Sequence, residues 1–117
     1  MKVSDLVSQF GLTVFSGELT PDREISGVYV SDLLSDVMGN AMENQAWITL
    51  QTHQNVLAVA SLKDLAAVIL VKGLRPDPET AERSNTEGIP VLGSPLETFE
   101  LAGKLYNAWM NDLSRGG

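Results

Sequence analysis

Apolar residues recur along the chain in two spacings, and the alternation between them predicts its elements. Val3, Leu6, Val7 and Phe10 stand at i, i+3, i+4 and i+7, one face of a two-turn helix that Gly11 is placed to end. Leu12 to Ser16 then reads as a short strand closed by Gly17, and Thr20 to Glu24, with Pro21 and Asp22, as a turn. Ile25 to Val30 is a second strand signal, with Gly27 inside it as a bulge or a point of close backbone approach. Ser31 and Asp32 can cap a short helix through Leu33, Leu34, Val37 and Met38, which Gly39 and Asn40 would stop. Ala41 to Gln45 is a polar connection to which no structure is assigned.

The central stretch, Trp47 to Gly73, reads as strand, polar turn, helix, strand. Trp47 to Leu50 and Ala66 to Val71 are short apolar runs that suit strands buried on both faces. Between them Asn55 to Leu65 is helical in character and apolar almost all round, so it is expected to be buried, with Ala58 and Ala60 lying close to the sheet. Its length fits the crossover that two parallel strands require. Farther on, Asp77 as N-cap, Pro78 at the first helical position and Gly88 past the end frame a short, mostly polar, exposed helix. Ile89 to Leu92 is the last strand. Ser94-Pro95-Leu96-Glu97 reads as a capping box that starts a final helix. Phe99, Ala102, Tyr106, Trp109, Met110 and Leu113 form its stripe, with Tyr106, Trp109 and Met110 expected as core or else as a dimer face, and Ser114 to Gly117 should fray.

Strands alternating with helices, without a repeat or linker, predict an α/β fold: one layered domain over residues 1–117, with a largely parallel sheet flanked by helices.

Composition narrows the functions. A formal charge of −7 with eight scattered Lys and Arg counts against nucleic acid, whose binding draws much of its affinity from cations on phosphates. The absence of cysteine excludes disulfides, thiolate metal sites and a cysteine nucleophile. The start lacks the basic lead and apolar core of a signal peptide, and no run approaches the ~18 apolar residues of a membrane span. The expectation is a soluble cytoplasmic protein without a membrane partner.

The stretches W-I-T-L-Q-T-H-Q-N-V-L-A-V-A, A-A-V-I-L-V-K-G-L-R-P-D-P and E-G-I-P-V-L, with V-Y-V-S-D-L-L-S upstream, resemble the DRTGG domain, a module related to the N-terminal domain of HPr kinase/phosphorylase. The resemblance runs from about Leu12 to about Tyr106. Where the family carries its Asp-Arg pair this chain has His53-Gln54, and where it carries Thr-Gly-Gly the chain has Val71-Lys72-Gly73. Such domains accompany CBS modules in regulated pyrophosphatases or precede catalytic domains such as phosphate acetyltransferase, and stand-alone members occur near hydrogenase-type redox genes. The resemblance thus implies a regulatory or dimer-forming role, with a homodimer and an enzyme partner as expectations. It does not imply a kinase, because the chain has no G-x-x-x-x-G-K-[ST].

Ligands of open α/β sheets bind beyond the carboxyl ends of the strands. Those ends carry Ser31 and Asp32, Thr49 to His53, Lys72 and Gly73, and Gly93 and Ser94, which should share one rim. The candidate ligand-binding residues are Ser31, Asp32, Thr49, Thr52, His53, Lys72, Gly73 and Ser94. Thr52, His53, Lys72 and Ser94 could hold an anion, with backbone amides doing most of the binding. Plainer roles compete: Thr52 and Ser94 as helix caps, Asp32 as a cap, Lys72 as a solvated strand-end lysine, and His53 as a cap or surface residue. His53 is the lone histidine and the natural acid or base, yet it has no H-x-x-x-H or cysteine partner for a metal. Asp77 and Glu79 suit a helix start rather than paired catalytic acids. No G-x-S-x-G elbow supports a serine hydrolase.

Three readings compete. The first is a non-catalytic regulatory module whose rim takes a nucleotide or other phosphate-bearing anion, with no cofactor or metal. The second is an adaptor for a larger, possibly redox, enzyme complex, which requires an exposed stripe or sheet edge. The third is a small enzyme, which requires His53 and Asp32 within hydrogen-bond reach.

Overall fold

The computed structural model describes residues 1–19 and 21–115. Its elements follow the predicted order: α1 (Val3–Phe10), β1 (Thr13–Ser16), β2 (Gly27–Val30), α2 (Leu34–Asn40), β3 (Gln45–Thr49), α3 (Asn55–Leu62), β4 (Ala67–Leu70), α4 (Pro78–Glu87), β5 (Val91–Gly93) and α5 (Thr98–Ser114). The strands form one sheet in the order β1-β5-β4-β3-β2. The β2–β3, β3–β4 and β4–β5 pairs are parallel, and β1 joins β5 antiparallel. The expected layered α/β fold with a largely parallel sheet is therefore present. Thr20 of the predicted turn and Gly116 and Gly117 of the predicted fraying tail lie outside the described residues.

The two central strands are apolar on both faces, and alternation divides them between two cores. Ala46 and Ile48 of β3 and Ala67 and Ile69 of β4 face Val3, Leu6, Leu101 and Leu105 of α1 and α5. Trp47, Val68 and Leu70 face the other way, onto Val37 of α2 and Val56, Leu57, Val59 and Ala60 of α3. α3 also packs against α2 and α4. Each crossover from β2 to β5 advances one strand with its helix on this second face, as the fixed hand of parallel crossovers requires. α5 departs from the pattern. It follows β5 yet crosses to the first face and lies over β2 and β3.

Several local expectations are corrected. α5 starts at Thr98 with Glu97 as N-cap, not at Pro95, because the Ser94 hydroxyl accepts from the Leu96 amide in a turn of its own, 3.1 Å. α2 is preceded by Leu33 as N-cap rather than Ser31 or Asp32, and α3 by Gln54 rather than Thr52. α3 stops at Leu62, where Lys63 caps it and Asp64 takes a left-handed conformation. β3 begins at Gln45, inside the stretch given no structure. The buried stripe of α5 is Leu101, Leu105 and Ala108. Of the predicted stripe, Ala102 and Trp109 are half-buried while Phe99, Tyr106, Met110 and Leu113 are exposed. Ser114 still belongs to the helix rather than fraying. α4 is framed by Asp77, Pro78 and left-handed Gly88 as expected. It is less exposed than its composition implies, because buried Thr80 and Ser84 donate to the carbonyls of Thr52 and Ile89 at 2.6 Å each.

At the amino ends of the strands Arg23 ties two turns together. Its guanidinium donates to the carbonyls of Leu65 (2.9 Å) and Asp64 (3.0 Å) and to the Asn44 side chain. Asn44 and Asp64 both have positive φ, so the clamp holds left-handed residues that precede β3 and follow α3.

Candidate functional site

The carboxyl ends of β2, β3, β4 and β5 carry the predicted residues in that spatial order, but hydrogen bonding divides them into two groups. In the first, Asp32 Oδ1 accepts from Thr49 Oγ1 (3.0 Å) and from the Leu50 amide (2.7 Å). The Gln51 side chain donates to the Asp32 carbonyl at 2.9 Å, and Trp47 Nε1 to the Ser31 carbonyl at 2.8 Å. The Ser31 hydroxyl accepts from the Leu33 amide at 3.2 Å. Asp32 thus places the chain's own carboxylate on the donors that an anion at the end of β3 would need.

In the second group the loops after β4 and β5 are laced together. Lys72 N–H donates to Leu96 O (2.8 Å), Gly73 N–H to Ser94 O (3.0 Å) and Ser94 N–H to Leu70 O (2.9 Å). Lys72 and Gly73 both adopt left-handed backbone, φ 59 and 69. The Lys72 ammonium lies 3.6 Å from Glu97, a solvated pair. These amides are therefore occupied, and an anion here relies on side chains.

Thr52 and His53 belong to neither group. The Thr52 carbonyl accepts from the Asp77 amide at 3.1 Å and from the Thr80 hydroxyl, which turns this loop toward α4. His53 is exposed, and its Nδ1 accepts from the Asn55 amide at 3.1 Å, a cap-like role. Among the described residues no hydrogen bond joins His53 to a carboxylate, so the acid–base pair with Asp32 is not assembled. No cluster of three or more His, Cys, Asp or Glu suited to a metal occurs among the described residues.

The rim opens beside the second group. The loop after β4 leads to α4 on one face and the loop after β5 to α5 on the other, and beyond the hydrogen bonds that join them the two loops border β1. An opening of about 360 Å³ lies there, lined by Gly73, Leu74 and Arg75 of one loop, Gly93, Ser94 and Pro95 of the other, and Thr13 and Phe15 of β1. Three of these build a stack. A Cβ at Gly93 would lie 2.2 Å from the Phe15 ring, so only glycine lets that ring lie across β5. Arg75 then sits over the ring, 5.2 Å from its centroid. Among the described residues Arg75 forms no ion pair, and no acid lines the opening. Of the residues that line the opening, Gly73 and Ser94 are among the candidates read from the sequence, while Arg75, Phe15 and Thr13 are not. Arg75 precedes the Asp77-Pro78 helix start without a signal of its own, and nothing linear joins residue 15 to residue 75.

Residues 5–108 match the family model of the DRTGG domain. The chain belongs to the DRTGG domain family. Against the HPr kinase/phosphorylase of Bacillus velezensis this DRTGG chain is 26% identical over 129 residues, covering 92% of the chain and 39% of that protein. Among solved structures it is similar to the CBS and DRTGG domains of the regulatory region of Clostridium perfringens pyrophosphatase, complexed with the activator diadenosine tetraphosphate. The TM-score is 0.69 at 16% identity, covering 88% of this chain and 44% of that one. The chain thus spans less than half the length of either relative, and the second likeness is one of fold. On the DRTGG frame, His53-Gln54 stands on the exposed β3–α3 turn and Lys72-Gly73 on the left-handed turn after β4. No helix among the described residues is long and apolar enough to cross a membrane.

Proposed function

We propose that residues 1–117 act as one non-catalytic regulatory domain that binds a phosphate-bearing anion, such as a nucleotide, in the crevice where the loops after β4 and β5 meet β1. The observation that carries this reading is Arg75. It is a cation without a carboxylate partner among the described residues, held over Phe15 at an acid-free opening in a chain of net charge −7. The Ser94 hydroxyl and Lys72 stand on the same pair of loops, and the Phe15 face offers an apolar surface beside the cation. Asp32 disfavours an anion at the β2–β3 end and favours the β4–β5 end. The nucleotide-activated regulatory region with a shared fold supports the ligand class, and the DRTGG family supports the regulatory role. A cytoplasmic location and an enzyme regulated in a second domain or chain complete the proposal.

The test is a thermal-shift and calorimetric titration with pyrophosphate, AMP and ATP, since a ligand held by the native state alone raises its stability. Saturable binding is expected. Arg75→Ala should weaken it by about tenfold or more, the worth of a charge-assisted hydrogen bond of roughly 1.5–3 kcal/mol. Arg83→Ala, which removes the same charge from α4, should leave it nearly unchanged. Equal losses in both variants would reduce the crevice to a long-range charge effect and sink the reading.

A second reading, an interaction module, is favoured by the outer stripe of α5, where Phe99 is 88% and Tyr106 64% exposed.

A further inference from the structure

We propose that the crevice takes a nucleoside monophosphate base-first, with the base on its floor and the phosphate at its mouth. This rests on the anion reading of the same crevice and adds which part of the ligand each end of it recognises.

Exposure grades the lining. Gly93 and Ser94 are buried and Phe15 is half-buried, so these three make the floor, while Leu74, Arg75 and Pro95 are exposed and stand at the mouth. The polar groups are few and lie at opposite depths. Arg75 is the charged residue of the lining, and its guanidinium is held at the mouth by the Phe15 ring. Among the described residues the Arg75 amide bonds no backbone acceptor, which adds a second donor beside the cation.

At the floor is the Ser94 hydroxyl, on a residue only 4% exposed. Its oxygen accepts from the Leu96 amide, and among the described residues its hydrogen is donated to no acceptor. A buried donor left unused costs free energy, which an acceptor on a ligand recovers.

Between these polar groups the walls are apolar, built by Phe15, Leu74 and Pro95. Pyrophosphate gains nothing from such walls and loses hydration against them. A flat aromatic base gains twice. Its faces bury apolar surface, and its edge carries the ring-nitrogen or carbonyl acceptor that the Ser94 hydrogen lacks. The sugar then leads outward and sets the 5′-phosphate at Arg75. Size selects one phosphate and one nucleoside. About 360 Å³ stands at the lower end of the ~300–1,000 Å³ typical of small-ligand sites. The other cation on these two loops, Lys72, is already paired with Glu97, so further phosphates find no unpaired cation there.

Calorimetric titration with AMP, ribose 5-phosphate, pyrophosphate and ATP tests this. AMP should bind at least about tenfold more tightly than ribose 5-phosphate or pyrophosphate, and ATP within about threefold of AMP. Arg75→Ala should weaken AMP and ribose 5-phosphate by the same factor. Ser94→Ala should weaken AMP about fivefold or more and leave ribose 5-phosphate unchanged. Because that variant also strips the Leu96 amide of its acceptor, Leu74→Ser, at an exposed position, provides a second one and should likewise act on AMP alone. Ribose 5-phosphate or pyrophosphate equal to AMP, with both lost in Arg75→Ala, overturns the base-first arrangement and leaves the anion site standing. So does AMP binding that neither Ser94→Ala nor Leu74→Ser changes. ATP more than about tenfold tighter than AMP overturns the monophosphate. If none of the four binds, the anion reading falls with it.

Discussion

Lys72 occupies a backbone position that suits glycine. With φ at 59 beside Gly73 at 69, it holds a left-handed conformation that costs a non-glycine residue on the order of 1 kcal/mol. Lys72→Gly should therefore raise stability by up to about 1 kcal/mol in urea unfolding, because its one ion pair, with Glu97, is solvated. A loss of stability would mean that the lysine holds the turn through contacts stronger than that pair. Arg75, two residues past Gly73, is the residue that sequence reasoning undervalued. The role proposed for it depends on Phe15 packing against Gly93, a contact between residues far apart in the chain and invisible to periodicity. Ser94, by contrast, stood out in the sequence because its type and its place after an apolar run mark a turn or cap in one dimension.

At the scale of elements, two carboxylates tie loops and helices to their neighbours. The Ser4 hydroxyl bonds Asp22 and holds its carboxyl below the ordinary value of 3.8, fastening α1 to the loop before β2. The hydroxyls of Ser31 and then Tyr29 do the same for Asp36, fastening α2 to β2. Because both folded values are depressed, the unfolded chain binds more protons as pH falls below 3.8. The stabilisation is thus complete above that value and is lost as pH falls through the lower folded values. Thermal melts between about pH 2 and 6 should show this acid limb, and Ser4→Ala should flatten it. An unchanged limb would remove Asp22 from the account. The order and type of the elements were legible because apolar runs, turn residues and the Pro78 and Gly88 signals act locally. The faces of α5 were not. Its apolar residues cover a broad arc, and tertiary packing selects Leu101 and Leu105 rather than Tyr106 and Phe99 as the buried edge. The cap of α5 was misread for a related reason: the loop bonds from Lys72 and Gly73 hold Ser94 to Leu96 outside the helix.

For the whole molecule, the direction in which α5 leaves the sheet sets which loops border the proposed site, since α5 turns over β2 and β3 on the first face while α4 packs against α3 on the second. The sequence located the rim, since strand ends are readable, but treated its four loops alike. Their division into a group closed by Asp32 and a group opened at Arg75 comes from hydrogen bonds between residues 17 to 24 apart. Amide chemical shifts of the ¹⁵N-labelled chain, followed during titration with pyrophosphate, distinguish these two ends directly. Saturable changes at Gly73 to Arg75, Gly93, Ser94 and Phe15, with Ser31, Asp32 and Leu50 unmoved, are the expected result. Changes centred on Leu50 to Asn55, or none at all, would contradict the assignment of the crevice as the binding site.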